Sequence, residues 1–270
     1  MVDCGEGVQL QLRRLRVRFT KVSHVFISHL HGDHCFGLIG MISTFGLLGR
    51  TAKLHVHANA QLEDMLRQQM ALFCRDLGYE VVFHPIDAAR REIIYEDRSL
   101  TVETIPLSHR MPTCGFLFSE KPLLPHIRRD MIDFYHIPTS QIMNIKSGAD
   151  WTTAEGELIP NSLLVEPAEP ARSYAYCSDT RYMASLHEQL KGVSTLYHES
   201  TYGDDNRLMA EKYCHSTARQ AATVARDAGA GQLILGHYSS RYDDERVLLN
   251  EALEVFPRVR LANELDVIDV

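Results

Sequence analysis

The run His29-Leu30-His31-Gly32-Asp33-His34 limits what this chain can become more than any other stretch. Residues two apart on an extended segment point to the same face, so His29 and His31 offer imidazole nitrogens to one ion. Gly32 lets the backbone swing round, and Asp33 and His34 follow on the turn. Four ligand-type side chains in six residues thus aim at two adjacent points, a pattern that suits a hydrolytic pair of ions about 3.5–4 Å apart. The chain has 14 histidines, so a chance arrangement has to be weighed against a metal site. The spacing and the position directly after an apolar strand favour the metal.

With 270 residues, 45% of them hydrophobic, the chain can bury a substantial core as one large domain or two fused halves. The six cysteines form no Cys-x-x-Cys pair and read as reduced, mostly buried thiols. The most apolar run, 35–49, is interrupted by Ser43, Thr44 and four glycines. That is too short and too broken for a membrane span, so a soluble cytoplasmic protein is expected. A formal net charge of −7 disfavours a protein coated with nucleic acid but leaves room for local basic patches. Two such patches occur, Arg13 to Lys21 and the pair Arg128 and Arg129. The first reads more readily as a solvated face than as a phosphate track.

Met1-Val2-Asp3 reads as a strand end and Gly5 with Gly7 as the turn after it, so the chain is expected to begin in mid-fold. A helix over 8–15, a buried strand over 22–28 and a glycine-containing helix over 36–48 then surround the histidine run. A strand over 53–57 and a long helix capped by Asn59 and reaching 77 follow. Strands over 79–84, 92–96 and 99–105 and another from 114 suggest two packed sheets covered by helices. His109 sits at a strand end in a loop between prolines, where sites are often built. Residues 121–170 hold six prolines and little periodicity, and read as an extended excursion from one domain spanning 1–270.

Beyond residue 173 strands and helices alternate. Strands over 174–177, 195–197 and 232–235 end in Asp179, Glu199 and His237, each followed by a loop on one edge of the sheet. A helix is expected after Asp179, which makes an N-cap the local alternative to a metal-binding carboxylate there. His215-Ser216-Thr217 precede another helix, where Thr217 and Gln220 match a capping box.

Val2-Asp3-Cys4-Gly5-Glu6-Gly7, Ser28 to His34, Leu107 to Phe116 around His109-Arg110, Ser178-Asp179-Thr180, His215-Ser216-Thr217 and His237 to Tyr242 together resemble one family. It is the tRNase Z branch of the metallo-β-lactamase superfamily, endonucleases that remove 3′ trailers from precursor tRNA. The resemblance covers essentially the whole chain. It implies an α/β fold, the four-layer αβ/βα sandwich, here without its first strand or two. It also implies two zinc ions per chain, with manganese equally suited to the donors. His29, His31 and His109 would hold one ion, Asp33, His34 and His237 the other, and Asp179 would bridge them. Asp33 would also accept a proton, and His215, oriented by Glu199, would donate one to the departing 3′ oxygen. The products implied are a tRNA with a 3′ hydroxyl and a trailer with a 5′ phosphate.

Arg241 and Arg110 are suited to grip phosphate. Residues 121–170 occupy the place of an arm that clamps tRNA, with Arg128 and Arg129 placed for phosphate. The glycine-proline pattern common in such arms is replaced by Ile137-Pro138-Thr139-Ser140. A homodimer in which one subunit's arm serves the other's site is implied as well. Two alternatives stand beside this reading: another two-zinc hydrolase acting on a small phosphodiester or thioester, and a non-catalytic RNA-binding protein on the same fold.

Overall fold

In β1 (His24–Phe26) neighbouring side chains face opposite ways, and Val25 and Phe26 are both buried. A strand buried on both faces needs a layer on each side, and the chain supplies them. The computed structural model describes residues 1–270, apart from the side chain of Phe19. It divides into two compact units, one formed by 1–118 with 173–270 and the other by 119–172.

In the larger unit β1 pairs in parallel with β2 (Leu54–Ala58), and β2 with β3 (Val81–Pro85), forming a small sheet. Its outer face, with Val25, Leu54 and Val56, packs on the helices Gly37–Leu47 and Ala60–Phe73 through Leu38, Met41, Phe45, Leu62 and Leu66. Its inner face carries Phe26 against Val102, Cys114 and Phe116 of a second sheet. That sheet contains β4 (Ile93–Glu96), β5 (Leu100–Pro106), β6 (Cys114–Glu120), β7 (Ser173–Cys177), β8 (Thr195–Glu199), β9 (Gln232–Gly236) and β10 (Val259–Leu261). Their spatial order is β10-β9-β8-β7-β6-β5-β4, with β7 to β10 parallel. The helices Ala218–Ala228 and Arg246–Leu253 cover its far face. Alanines at 218, 221, 222, 225 and 228 let the first of these lie close to the strands, with Ala175, Leu196, Leu233 and Leu235 in the same cluster. Two sheets between two helical layers give the four-layer arrangement expected from the strand and helix pattern.

The parallel register fixes the working edge. Cys177 pairs with His198, and Glu199 with Gly236, so Asp179, Glu199 and His237 leave adjacent strands at the same end. Some boundaries differ from the sequence reading. The helix capped by Asn59 stops at Phe73 instead of 77, with Cys74 as its C-cap. The helix expected directly after Asp179 does not begin there; the next one is Leu186–Gln189. Thr217 does form the capping box with Gln220.

The smaller unit has its own apolar cluster of Ile137, Ile145, Ile159 and Leu164, with Trp151 packed against it. Two short antiparallel pairings, His126–Ile127 with Val165–Glu166 and Trp151–Thr152 with Leu158–Ile159, tie it together. The six cysteines are free thiols, five of them buried. No helix among the described residues is long and apolar enough to cross a membrane.

Candidate metal centre

The histidine run leaves the end of β1 and passes into a four-residue helix, Gly32–Cys35. The segment after Val2 is laced against it, with Cys4 N–H donating to His34 C=O at 2.8 Å and Gly37 N–H to Cys4 C=O at 2.9 Å. Gly5 is required for this approach, because a Cβ there would stand 2.0 Å from the Asp33 carbonyl oxygen.

Three overlapping groups of ligand atoms form at the edge where β7, β8 and β9 end, the third being Asp179, His215 and His237. The ligand atoms of His29, His31, His109 and Asp179 lie within 4.8 Å of one another, as do those of Asp33, His34 and His237. Asp179 stands between these two, 2% exposed. Its Oδ2 faces His29 Nε2 at 3.6 Å and His109 Nε2 at 3.9 Å. Its Oδ1 faces His34 Nε2 at 3.5 Å and His237 Nε2 at 3.2 Å. Asp33 Oδ2 lies 3.5 Å from His34 Nε2 and 3.8 Å from His237 Nε2. Two donors each about 2.1 Å from one tetrahedral ion stand about 3.4 Å apart, so these separations fit shared cations. His34 Nε2, His109 Nε2 and Asp179 Oδ1 are buried with no hydrogen-bond partner, a costly arrangement unless an ion takes their lone pairs.

Charge agrees with geometry. Burial and the neighbouring imidazoles push His29 down to about 2, which favours the neutral ring that a cation needs. Burial also opposes protonation of His237, yet Asp33, Asp179 and Glu199 outweigh it and lift His237 to about 9. The centre therefore attracts positive charge. Nitrogen and carboxylate donors without thiolate suit a catalytic zinc or similar divalent ion.

The groups that orient the metal-binding histidines, unlike Glu199 beside His215, are not apparent in that role from sequence. Asp3 Oδ2 accepts from His34 Nδ1 at 2.7 Å, Ser28 Oγ contacts His29 Nδ1 at 3.0 Å, and the Cys214 carbonyl accepts from His109 Nδ1 at 2.8 Å. Thr201 Oγ1 lies 2.8 Å from His237 Nδ1, and His237 itself sits in the left-handed region at φ 58°. Each contact fixes one ring nitrogen and turns the other toward the centre. The signal for Asp3 lay in its tight Asp-Cys-Gly-Glu-Gly setting; the Cys214 contact uses a backbone atom and has no sequence signal.

His215 is reached through the left-handed Cys214 (φ 60°) that ends the helix Arg207–Tyr213. Its Nδ1 donates to Glu199 Oε1 at 2.8 Å. Glu199 is wholly buried and also accepts from Thr180 N–H at 2.9 Å, Thr201 N–H at 3.0 Å and Thr201 O–H at 2.7 Å. Although burial alone would raise its pKa, His215 and His237 and the Thr180 N–H hold this carboxyl below its ordinary value. His215 lines a pocket of about 360 Å³ with His31, His109, Arg110, Tyr202 and Arg241. Arg128 and Arg129 lie in the smaller unit, where Arg128 is paired with Asp130 at 2.8 Å.

A family model described as anti-Pycsar protein Apyc1 matches residues 1–126. Ribonuclease Z of Phocaeicola vulgatus is 54% identical over 264 residues, covering 98% of this chain and 85% of that protein. Ribonuclease Z of Porphyromonas gingivalis is 48% identical over 270 residues, 100% of this chain and 89% of that one. Among solved structures, human tRNase Z, short form, superposes with a TM-score of 0.69 at 22% identity over 99% of this chain and 86% of that one. The metallo-beta-lactamase fold protein YhfI of Bacillus subtilis gives 0.64 at 18%, covering 97% and 83%. The fold is thus the metallo-β-lactamase sandwich, and with near-half identity along nearly its whole length the chain belongs to the ribonuclease Z family.

Proposed function

We propose that this protein is a zinc-dependent endoribonuclease that removes 3′ trailers from precursor tRNA in the cytoplasm. The observation that carries this reading is Asp179 set between two imidazole clusters, with His215, held by the buried Glu199, lining a pocket that also presents Arg110 and Arg241. His29, His31 and His109 would hold one zinc and Asp33, His34 and His237 the other, with Asp179 shared. Bound there, the ions supply Lewis acidity toward the scissile phosphate and a water that loses its proton near neutral pH.

The chain's own residues do the rest. Asp33, whose side chain is 69% exposed, is open to solvent and accepts the proton of the attacking water. His215 hands a proton from Nε2 to the departing 3′ oxygen, while Glu199 on Nδ1 fixes the tautomer and offsets the imidazolium charge. Arg110 and Arg241 line the pocket and hold phosphate oxygens. The tRNA keeps a 3′ hydroxyl and the trailer a 5′ phosphate.

Residues 119–172 serve as the arm that reaches tRNA, in a homodimer where each arm serves the partner's site. The arm holds five Lys and Arg against eight Asp and Glu. Its grip is therefore local, at Arg128, Arg129 and Lys146, rather than a continuous basic face.

Zinc-loaded protein should shorten a 3′-extended precursor tRNA and lose that activity in chelator. Turnover of bis(p-nitrophenyl) phosphate with no trailer removal would favour the small-phosphodiester alternative.

A further inference from the structure

Tyr213 has no part in the reaction above, yet it lines the same pocket. It is the last residue of the helix Arg207–Tyr213, and the left-handed turn at Cys214 that delivers His215 leaves its ring beside Arg110. The Arg110 guanidinium carbon lies 4.6 Å from the ring centroid. Arg110 Nη2 also donates to the Lys212 carbonyl at 3.3 Å, and Lys212 Nζ stands 5.2 Å from the same ring. Some exposed arginines of this chain are paired with carboxylates, as Arg172 with Glu120 and Arg246 with Asp244. The partners of Arg110 are a ring and a carbonyl, which fix the side chain and leave its charge uncompensated.

An exposed arginine ordinarily surrenders much rotamer freedom when it takes a ligand. Holding it beforehand lowers that cost, as preorganisation does in any binding site. The guanidinium carbon lies over the ring and, among the described residues, Nη2 is the one nitrogen that donates a hydrogen bond, so N–H groups remain for an anion. We infer that Tyr213 is a positioning residue: it sets the Arg110 guanidinium at the pocket mouth so that an RNA phosphate beside the scissile one meets a preformed fork.

This inference rests on the ribonuclease reading, so binding and cleavage are measured separately. Affinity for a 3′-extended precursor tRNA is read by fluorescence anisotropy in chelator at several salt concentrations; cleavage is read with zinc-loaded wild type. Arg110→Ala should weaken binding about tenfold to a hundredfold, the size of a charge-assisted hydrogen bond. It should also lower the slope of log affinity on log salt by about 0.7, one phosphate on a single strand. Tyr213→Ala should weaken binding about threefold to tenfold, and Tyr213→Leu should match it, since bulk without an aromatic face does not hold a cation. Tyr213→Phe should recover most of the loss, and adding Tyr213→Ala to Arg110→Ala should weaken binding no further. A Tyr213→Ala protein that binds as wild type, or a double variant showing the full product of both losses, overturns the inference. Wild type that binds precursor without cleaving it overturns the ribonuclease reading and leaves this cycle to decide the role of Tyr213.

Discussion

Asp3→Asn tests how the centre is built, because it changes one atom in a carboxylate that is never expected to touch a metal. Asp3 Oδ1 accepts from Ser28 N–H at 2.8 Å. Its Oδ2 accepts from Ser28 O–H at 2.9 Å, Tyr176 O–H at 2.9 Å and His34 Nδ1 at 2.7 Å. An asparagine must put its NH2 in one of those places. On the Oδ1 side it opposes the Ser28 N–H, two donors head to head, at a cost of about 1–3 kcal/mol. On the Oδ2 side the two hydroxyls can reverse, but His34 has to accept at Nδ1 and carry its hydrogen on Nε2, the atom that faces Asp33 and Asp179. That tautomer cannot ligate. Losing such an orienting partner costs about tenfold to a hundredfold in metal affinity, or about 1.4–2.7 kcal/mol. Competition with a chromophoric chelator would measure the zinc affinity, and melting in chelator would separate the structural part, expected at about 3–10 °C. Zinc affinity within threefold of wild type would show that Asp3 does not control the His34 ring.

Three further outcomes follow from the same contacts. His215→Ala should slow trailer removal by a hundredfold or more, about the worth of a general acid, with zinc content near wild type; a zinc-depleted variant would make His215 a ligand, a role its place with Asp179 and His237 also permits. Arg128→Ala with Arg129→Ala should weaken precursor binding and flatten its salt dependence, and unchanged affinity would place the arm's contacts elsewhere. Acid should destabilise the fold through a second histidine group: burial pushes His24 down to about 4 and His57 to about 3, so the unfolded chain binds their protons first. Their contribution is complete above about pH 6.5 and is lost as pH falls toward 4, by at most about 1.4 kcal/mol per pH unit for His57 and by less for the more exposed His24. Melting temperatures from pH 7 to 5 should drop less for His57→Phe than for wild type, and parallel curves would refute the assignment.

That second group shows how far spacing can be read. His55-Val56-His57 repeats the His-x-His pattern of His29 and His31, but on β2 its rings stack with those of His24 and His84 at centroid separations of 4.5–5.3 Å. His24 Nδ1 contacts His57 Nε2 at 3.1 Å and His55 Nδ1 contacts His84 Nε2 at 2.9 Å. Around them lie Tyr95, the Met1 amine, Asp97, Lys53, Glu80 and Arg50, and among the described residues no group of metal-ligand atoms forms there. What separates the two patterns is location: β2 continues past His57, whereas the chain turns at Gly32 just beyond His31 at a strand end. The strand ends were legible because apolar runs stop abruptly before Asp179, Glu199 and His237. The helix expected after Asp179 was not: Thr180 N–H donates to the buried Glu199, and the chain becomes helical only at Leu186. Thr201 and the Cys214 carbonyl were illegible as orienting groups, since their partners are 36 and 105 residues away in the chain, and the tight setting of Asp3 marked that residue without naming its partners, 25 to 173 residues away. The cluster of Ile137, Ile145, Ile159 and Leu164 was equally hidden, its members being spaced at neither helical nor strand period.

The most direct measurement is anomalous diffraction at the zinc edge from crystals of the zinc-loaded protein. Two peaks should flank Asp179, one bounded by His29, His31 and His109 and the other by Asp33, His34 and His237, with His215 bonded to neither. A single peak, or a peak coordinated by His215, would contradict this arrangement.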